Sequence, residues 1–374
     1  MSDPNLLGAH AMGEASTPSR DERDPVVLVA RGIKTAVAPS EGVTDVQATL
    51  LQAITEALEG RTIDYRHLAP LGPEELVEVL REHPDWDPHR IVHHMVLGEL
   101  VLRPLPPEVA LRVATYAKAL GVDDQFVRVA RRYAQGAYGL AWMDLHRSGF
   151  TEHMEQMELS ALRSSVHFDD PLQRADADPE VAARWAAFED FPDGTLGRRV
   201  WEMYDGRGFA LPGTPEGASA FLAQHDFVHV LADYGTNLKG ELEVFAFIGR
   251  ADPDPKGFAW LATLVGLFET GYINDAGFFV KDVKDQSIRS GEMTGRLADA
   301  IRRGKVVCAN EGRDLFTVDY HELAGRPVDE VKDMLHFSPK STRANDERWP
   351  GTFDRDGMSI QQQRFADARQ EERA

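Results

Sequence analysis

His225, Asp226, His229 and Glu241 are the residues of this chain whose types and spacing could do chemistry together, and that chemistry is metal binding. At about 100° per residue, His225 and His229 stand one helical turn apart and Asp226 about 60° from His229, so the three share one helix face. Gly235 can take the left-handed conformation that ends a helix, and Thr236 or Asn237 can cap the next, so a tight αα-hairpin is expected. His229 lies six residues before Gly235 and Glu241 six after it. In an antiparallel hairpin such residues return beside each other, here about 9 Å from the bend by helical rise. Glu241 can therefore complete a site that the first helix begins. Two imidazoles with two carboxylates suit a divalent ion: zinc first, with iron, manganese or cobalt as alternatives, rather than soft Cu⁺ or strongly hydrated Mg²⁺. With one acid outside the coordination sphere, a position would stay open for water or a substrate oxygen. A His-Asp pair followed by a second His at i+4 can also be a satisfied core arrangement. The Glu placed symmetrically across a helix break weighs against that.

The elements that must position these residues read as all-α. Helical patterning covers Val46 to Leu58, Pro73 to Arg81, His89 to Leu102, Pro107 to Leu120 and Asp123 to His146. It resumes at Pro179 to Phe188, Thr195 to Met203, Gly217 to Ala232, Asn237 to Ile248, Gly257 to Tyr272, Gly291 to Ala309 and Pro327 to Leu335. Prolines in first turns and glycines just past helix ends mark several boundaries. Val26 to Ala30 is short and β-branched, and could be an isolated strand or a docking apolar segment. The chain of 374 residues exceeds the length of a single growing core, so two helical domains are expected. The divisions are a disordered lead-in at 1–25, an N-terminal helical domain at 26–150, a polar linker at 151–178, the metal-binding domain at 179–340 and a polar, mobile tail at 341–374.

At His225, Asp226, His229 and Glu241 the sequence resembles the Coq-four family of ubiquinone biosynthesis, whose hallmark is His-Asp-x-x-His, eleven residues, then Glu. The likeness extends to Phe191 through Arg198 upstream, and to Ala298 through Lys305, Asp314-Leu315-Phe316 and Pro327 through Leu335 downstream. It covers roughly residues 180–340. The resemblance implies a helical bundle of that family's type that binds a divalent ion. It also implies action on a polyprenylated aromatic precursor of a quinone, by oxidative decarboxylation of the ring, or a non-catalytic role as a prenyl-lipid-binding scaffold that organises other quinone-biosynthesis enzymes. A metal with an open position suits the first, since it can hold a carboxylate and a phenolic oxygen and polarise the bond to be broken. The N-terminal helices resemble, in helix pattern only, the small tellurite-resistance-B-like modules. They are a departure from simple members of the family.

Other residues carry weaker signals. Ala262, Gly266 and Gly271 leave a shallow strip on the apolar helix from Phe258 to Phe268, which could be a groove for an isoprenoid tail or simply a core face. Glu269, Asp275 and Asp282 follow and read mainly as a solvated face. His93, His94 and Glu99 invite a second metal site, but adjacent histidines point about 100° apart, which favours a structural role. Cys308, after two valines, reads as a small buried hydrophobe, and one cysteine admits no intramolecular disulfide and fits a reducing, cytoplasmic setting. A net charge of −20 argues against nucleic acid as a partner. No apolar run is long enough to span a bilayer, although a prenylated substrate would bring transient, peripheral membrane contact. Neither a phosphate-binding glycine loop nor a Gly-x-Ser-x-Gly nucleophile elbow occurs.

Overall fold

A computed structural model describes residues 24–102, 105–122, 127, 177–215, 217, 220, 223–252 and 292–373. The expected lead-in up to residue 23, most of the helix from Asp123 to His146, the linker as far as residue 176, and the strip bearing Ala262, Gly266 and Gly271 with Glu269, Asp275 and Asp282 lie outside the described residues. The described residues are helical and contain no strand, only an isolated antiparallel bridge between Thr195 and Pro327.

Helix α1 spans Pro25–Val37, where a strand had been one reading of the sequence. Asp24 accepts from the Val26 N–H at 3.0 Å and Pro25 opens the first turn, a start signal that outweighs the β-branched run. Its buried residues Val29, Ala30, Ile33, Ala36 and Val37 follow the helical period, so the burial they gain requires a helix. Helices α3 (Pro73–Glu82), α4 (Pro88–Leu100) and α5 (Pro107–Ala119) pack on it, and α2 (Asp45–Glu59) packs on α4. Thr44 and Gln47 form a capping box at the start of α2. The Gln47 amide then reaches inward to donate to the carbonyls of Val37 (2.9 Å) and Gly98 (2.8 Å), tying α1, α2 and α4 together.

The second half contributes α6 (Pro179–Ala186), α7 (Leu196–Arg207), α8 (Gln224–Ala232), α9 (Leu238–Ala251) and the long α10 (Met293–Glu311), followed by the short α11 (Tyr320–Leu323) and α12 (Val328–Met334). One face of α10 packs along α9 and another along α2. The apolar side chains of both halves form one continuous core as a result. Inside it, Arg296 of α10 makes a two-pronged ion pair with Glu243 of α9, with both side chains 2% exposed. No described helix is long and apolar enough to cross a membrane.

The segment after residue 341 departs from the mobile tail expected from its polarity. It forms α13 (Thr342–Asp346) and α14 (Ile360–Arg373), and buries Trp349, Thr352 and Gln362 against the rest of the protein. Thr352 and Gln362 hydrogen-bond to the α8–α9 connection, while most of the segment's other polar side chains face solvent.

Candidate metal centre

The centre is made by α8, α9 and the turn between them. Helix α8 ends at Asp233, which is left-handed at φ 58°. Gly235 was the expected left-handed residue, but it does not have a positive φ. An Asp tolerates that region when its side chain is locally bonded, and Asp233 accepts from the Thr352 N–H at 3.0 Å and pairs with Lys340 at 3.1 Å. Gly235 is required for a different reason: a Cβ there would stand 2.6 Å from the Gly357 carbonyl oxygen. That carbonyl accepts from the N–H groups of Thr236 (2.7 Å) and Asn237 (2.9 Å). Asn237 caps α9 through the Gly240 N–H at 3.0 Å. Glu241 thus falls in the first turn of α9, where the helix dipole favours a carboxylate.

The hairpin brings Glu241 between the two histidines. His229 Nε2 is 3.2 Å from Glu241 Oε1, and His225 Nε2 is 3.5 Å from Glu241 Oε2. One donor atom from each of His225, His229 and Glu241 lies within 4.8 Å of the others. Donor atoms around a tetrahedral ion with bonds of about 2.0 to 2.1 Å are separated by roughly 3.3 Å, so the two measured contacts are close to the edges of such a polyhedron. Asp226 stands at the border of this group. Its Oδ1 is 3.5 Å from His225 Nε2, while its Oδ2 accepts from the Tyr204 hydroxyl of α7 at 2.5 Å. The four acidic and imidazole side chains expected from the sequence are therefore brought together, three as a convergent cluster and Asp226 beside them.

The fit to a cation can be tested on the hydrogen bonds. His229 Nδ1 lies 3.3 Å from the Tyr234 carbonyl, which can only accept, so the proton belongs on Nδ1 and the Nε2 lone pair faces the site. Neither His229 Nε2 nor Glu241 Oε2 has a hydrogen-bond partner. The His229 Nε2 lone pair instead faces Glu241 Oε1 at 3.2 Å, and a lone pair and a carboxylate oxygen so placed in a buried site repel unless a positive charge lies between them. Either the imidazole takes a second proton or a metal ion bridges the two, and the ligand types fit the ion. Burial pushes the Glu241 carboxyl up, but the influence of the facing His229 and His225 imidazoles, His229 first, outweighs it and holds the pKa down at about 2. Burial raises Asp226 despite both histidines and the Tyr204 hydroxyl, and raises Tyr204 far above its ordinary value, aided by the Asp226 charge.

Three supporting residues had no obvious signal in the sequence. Tyr204 orients Asp226. Arg207, one turn further along α7, donates to Thr236 Oγ1 at 2.6 Å and to the Thr352 carbonyl. Its guanidinium is drawn down by burial to about 10, against the pull of Asp226 and Glu241. The Thr352 hydroxyl sits between the His229 and Tyr234 carbonyls, and so fixes the turn that aims His229. Tyr204 and Arg207 stand one turn apart on α7, a spacing that by itself points to no function. Thr352 lies 123 residues from His229 and had no local pattern at all.

Elsewhere, His93, His94 and Glu99 are buried on α4 but do not converge as a metal-ligating group among the described residues. Cys308 is half-buried rather than enclosed, with its thiol 3.9 Å from the Asp252 carbonyl. No family model, no curated protein and no solved structure matches this chain.

Proposed function

We propose that this chain binds one divalent transition-metal ion, zinc in the first instance, through His225, His229 and Glu241, with Asp226 alongside. We further propose that it acts there on a prenylated hydroxy-aromatic carboxylate, a quinone precursor. The observation that carries the metal reading is the buried carboxylate of Glu241 facing two imidazole nitrogens, Oε1 toward His229 Nε2 at 3.2 Å and Oε2 toward His225 Nε2 at 3.5 Å, with neither His229 Nε2 nor Glu241 Oε2 in a hydrogen bond. The substrate rests on the resemblance to the Coq-four family in the spacing of the four residues. When bound, the ion would act as a Lewis acid toward the carboxylate and phenolic oxygens.

The chain's own residues set the conditions. The Tyr234 carbonyl holds the His229 tautomer, the Tyr204 hydroxyl holds Asp226, and the burial of all four side chains keeps bulk water away. In an oxidative decarboxylation the ring would lose its carboxylate as carbon dioxide and gain a hydroxyl oxygen from dioxygen. The second oxygen atom would leave as water with two electrons from an external donor. A second reading is a scaffold that binds prenyl lipid and gathers other quinone-biosynthesis enzymes at the membrane surface from the cytoplasm. It is favoured by the same burial, since His225, Asp226, His229 and Glu241 are at most 7% exposed and structural metal sites are closed.

Elemental analysis of wild-type protein beside His229→Ala tests the metal. About one equivalent of zinc, iron, manganese or cobalt, lost in the variant, is expected. A metal-free wild type that takes up none on reconstitution overturns the reading. Glu241→Gln separates the two roles: turnover of a prenylated hydroxybenzoate vanishes with the fold intact if the site is catalytic, whereas thermal stability falls if the metal only pins the hairpin.

A further inference from the structure

Helix α9 carries a buried charge on the face opposite Glu241. Glu241 and Arg250 are nine residues apart, which places them half a turn out of phase and about 13 Å apart along the axis. Glu241 reaches α8, while Arg250 is turned toward the helices of the N-terminal half. There it lines a cavity of 390 Å³ enclosed by α1, α2, α4, α9 and α10. Arg250 is only 6% exposed, and its Nε and Nη1 have no hydrogen-bond partner. No carboxylate pairs with it among the described residues.

The remaining polar groups around it do not supply the missing charge. His94 is buried beside it and is held neutral at pH 7. Arg90, half-buried, adds a like charge and Lys305 a cation at the exposed mouth. The acids Glu59 and Asp85 are exposed at the rim, and Asp87 is committed to capping α4 through the His89 N–H at 3.0 Å. A guanidinium buried without counter-charge is unfavourable, and the protein has left space directly in front of it. The rest of the wall holds the apolar Val29, Ile33, Ile54, Leu58 and Ile91 together with Thr55 and Tyr65, whose hydroxyls are hydrogen-bonded to each other at 2.7 Å.

We propose that this cavity is a binding site for an amphipathic anion, whose carboxylate or phosphate head meets Arg250 and whose apolar body lies against Val29, Ile33, Ile54, Leu58 and Ile91. The planar fork of arginine matches either head by paired hydrogen bonds. The volume falls within the range of small-molecule sites, which combine apolar walls with a few placed polar groups, and the cations among those groups here, Arg250, Arg90 and Lys305, favour an anionic head. The site is independent of the metal reading, because it uses the opposite face of α9 and none of the proposed ligands.

Calorimetric titration of the full chain with decanoate, decyl phosphate and decanol tests this against Arg250→Met, which keeps the side-chain length and removes the charge. Both anions bind the wild type, and R250M weakens them by roughly ten- to a hundredfold while leaving decanol unchanged. The tighter of the two anions identifies the head group. Failure of the wild type to bind either anion, or equal binding by R250M, overturns the proposal. A second measurement leaves Arg250 in place, in case R250M does not fold. Trp86 lines the cavity, so 10-bromodecanoate quenches its fluorescence in the wild type, and the quenched component is missing in Trp86→Phe. Absence of quenching in the wild type would likewise refute the site.

Discussion

His94 makes the protein sensitive to acid in a way that can be calculated. Burial, followed by the positive neighbours His93, Arg90 and Arg250, drives its pKa down from 6.5 to about 3. The folded protein therefore keeps a neutral imidazole where the unfolded chain binds a proton. Below pH 6.5 the unfolded state holds more protons, so stability is fully present above that value and is lost as the pH falls toward 3. At pH 5.0 the loss from this single residue is about 2 kcal/mol, since the unfolded side chain is then protonated by a factor of about thirty and the folded one hardly at all. His94→Gln removes the titration and keeps a polar side chain of similar reach. Urea unfolding of both proteins at pH 7.5 and 5.0 gives the double difference, from which carboxylates and the other histidines cancel. The wild type should lose about 2 kcal/mol more than the variant across that interval. Parallel losses, within about 0.5 kcal/mol, would mean that His94 titrates normally and that the cavity around it is wet enough to solvate a charge.

Two further perturbations address the metal centre and the core. Tyr204→Phe removes the hydroxyl that holds Asp226, and metal affinity measured by competition with a chelator should fall by roughly ten- to a hundredfold, as for other groups that orient ligands. An unchanged affinity would place Asp226 outside the metal's influence. Glu243→Gln breaks the enclosed pair with Arg296, leaving the buried guanidinium only the partly exposed Glu292, 3.2 Å from its Nη1, at a cost of up to about 3 kcal/mol in chemical denaturation. The joint change Glu243→Leu with Arg296→Met should recover most of that, and if it does not, the pair contributes more than its own neutralisation.

The helical character was legible because burial on one side of a helix leaves a 3.6-residue period, and the caps at Thr44, Asp87 and Asn237 are local hydrogen bonds that sequence spacing encodes. The convergence of His229 and Glu241 was also legible, since two helices and a short turn fix it by geometry alone. The turn itself was misassigned. Which residue goes left-handed depended on Lys340 and Thr352 supporting Asp233, and the need for Gly235 came from the close approach of Gly357. Val26 to Ala30 was ambiguous for the same reason: a β-branched run is compatible with either element until its neighbours choose one.

By itself, then, the sequence determined the quantities that act over one or two helical turns: the helices, their caps, the shared face of His225, Asp226 and His229, and a set of side-chain types that could hold a divalent ion. Only the tertiary structure decided what orients and encloses those ligands. Tyr204, Arg207 and Thr352 come from segments far apart in the chain, and the polar stretch after residue 341 folds because its hydrogen-bonding groups meet partners on α7 and the α8–α9 turn. The charge of Arg250 likewise became informative only when α1, α2 and α4 were seen to close a cavity around it. Spacing along the chain records neighbours within a helix, whereas desolvation and hydrogen-bond satisfaction depend on everything packed around a group, and those are the properties that make an ordinary side chain part of a site.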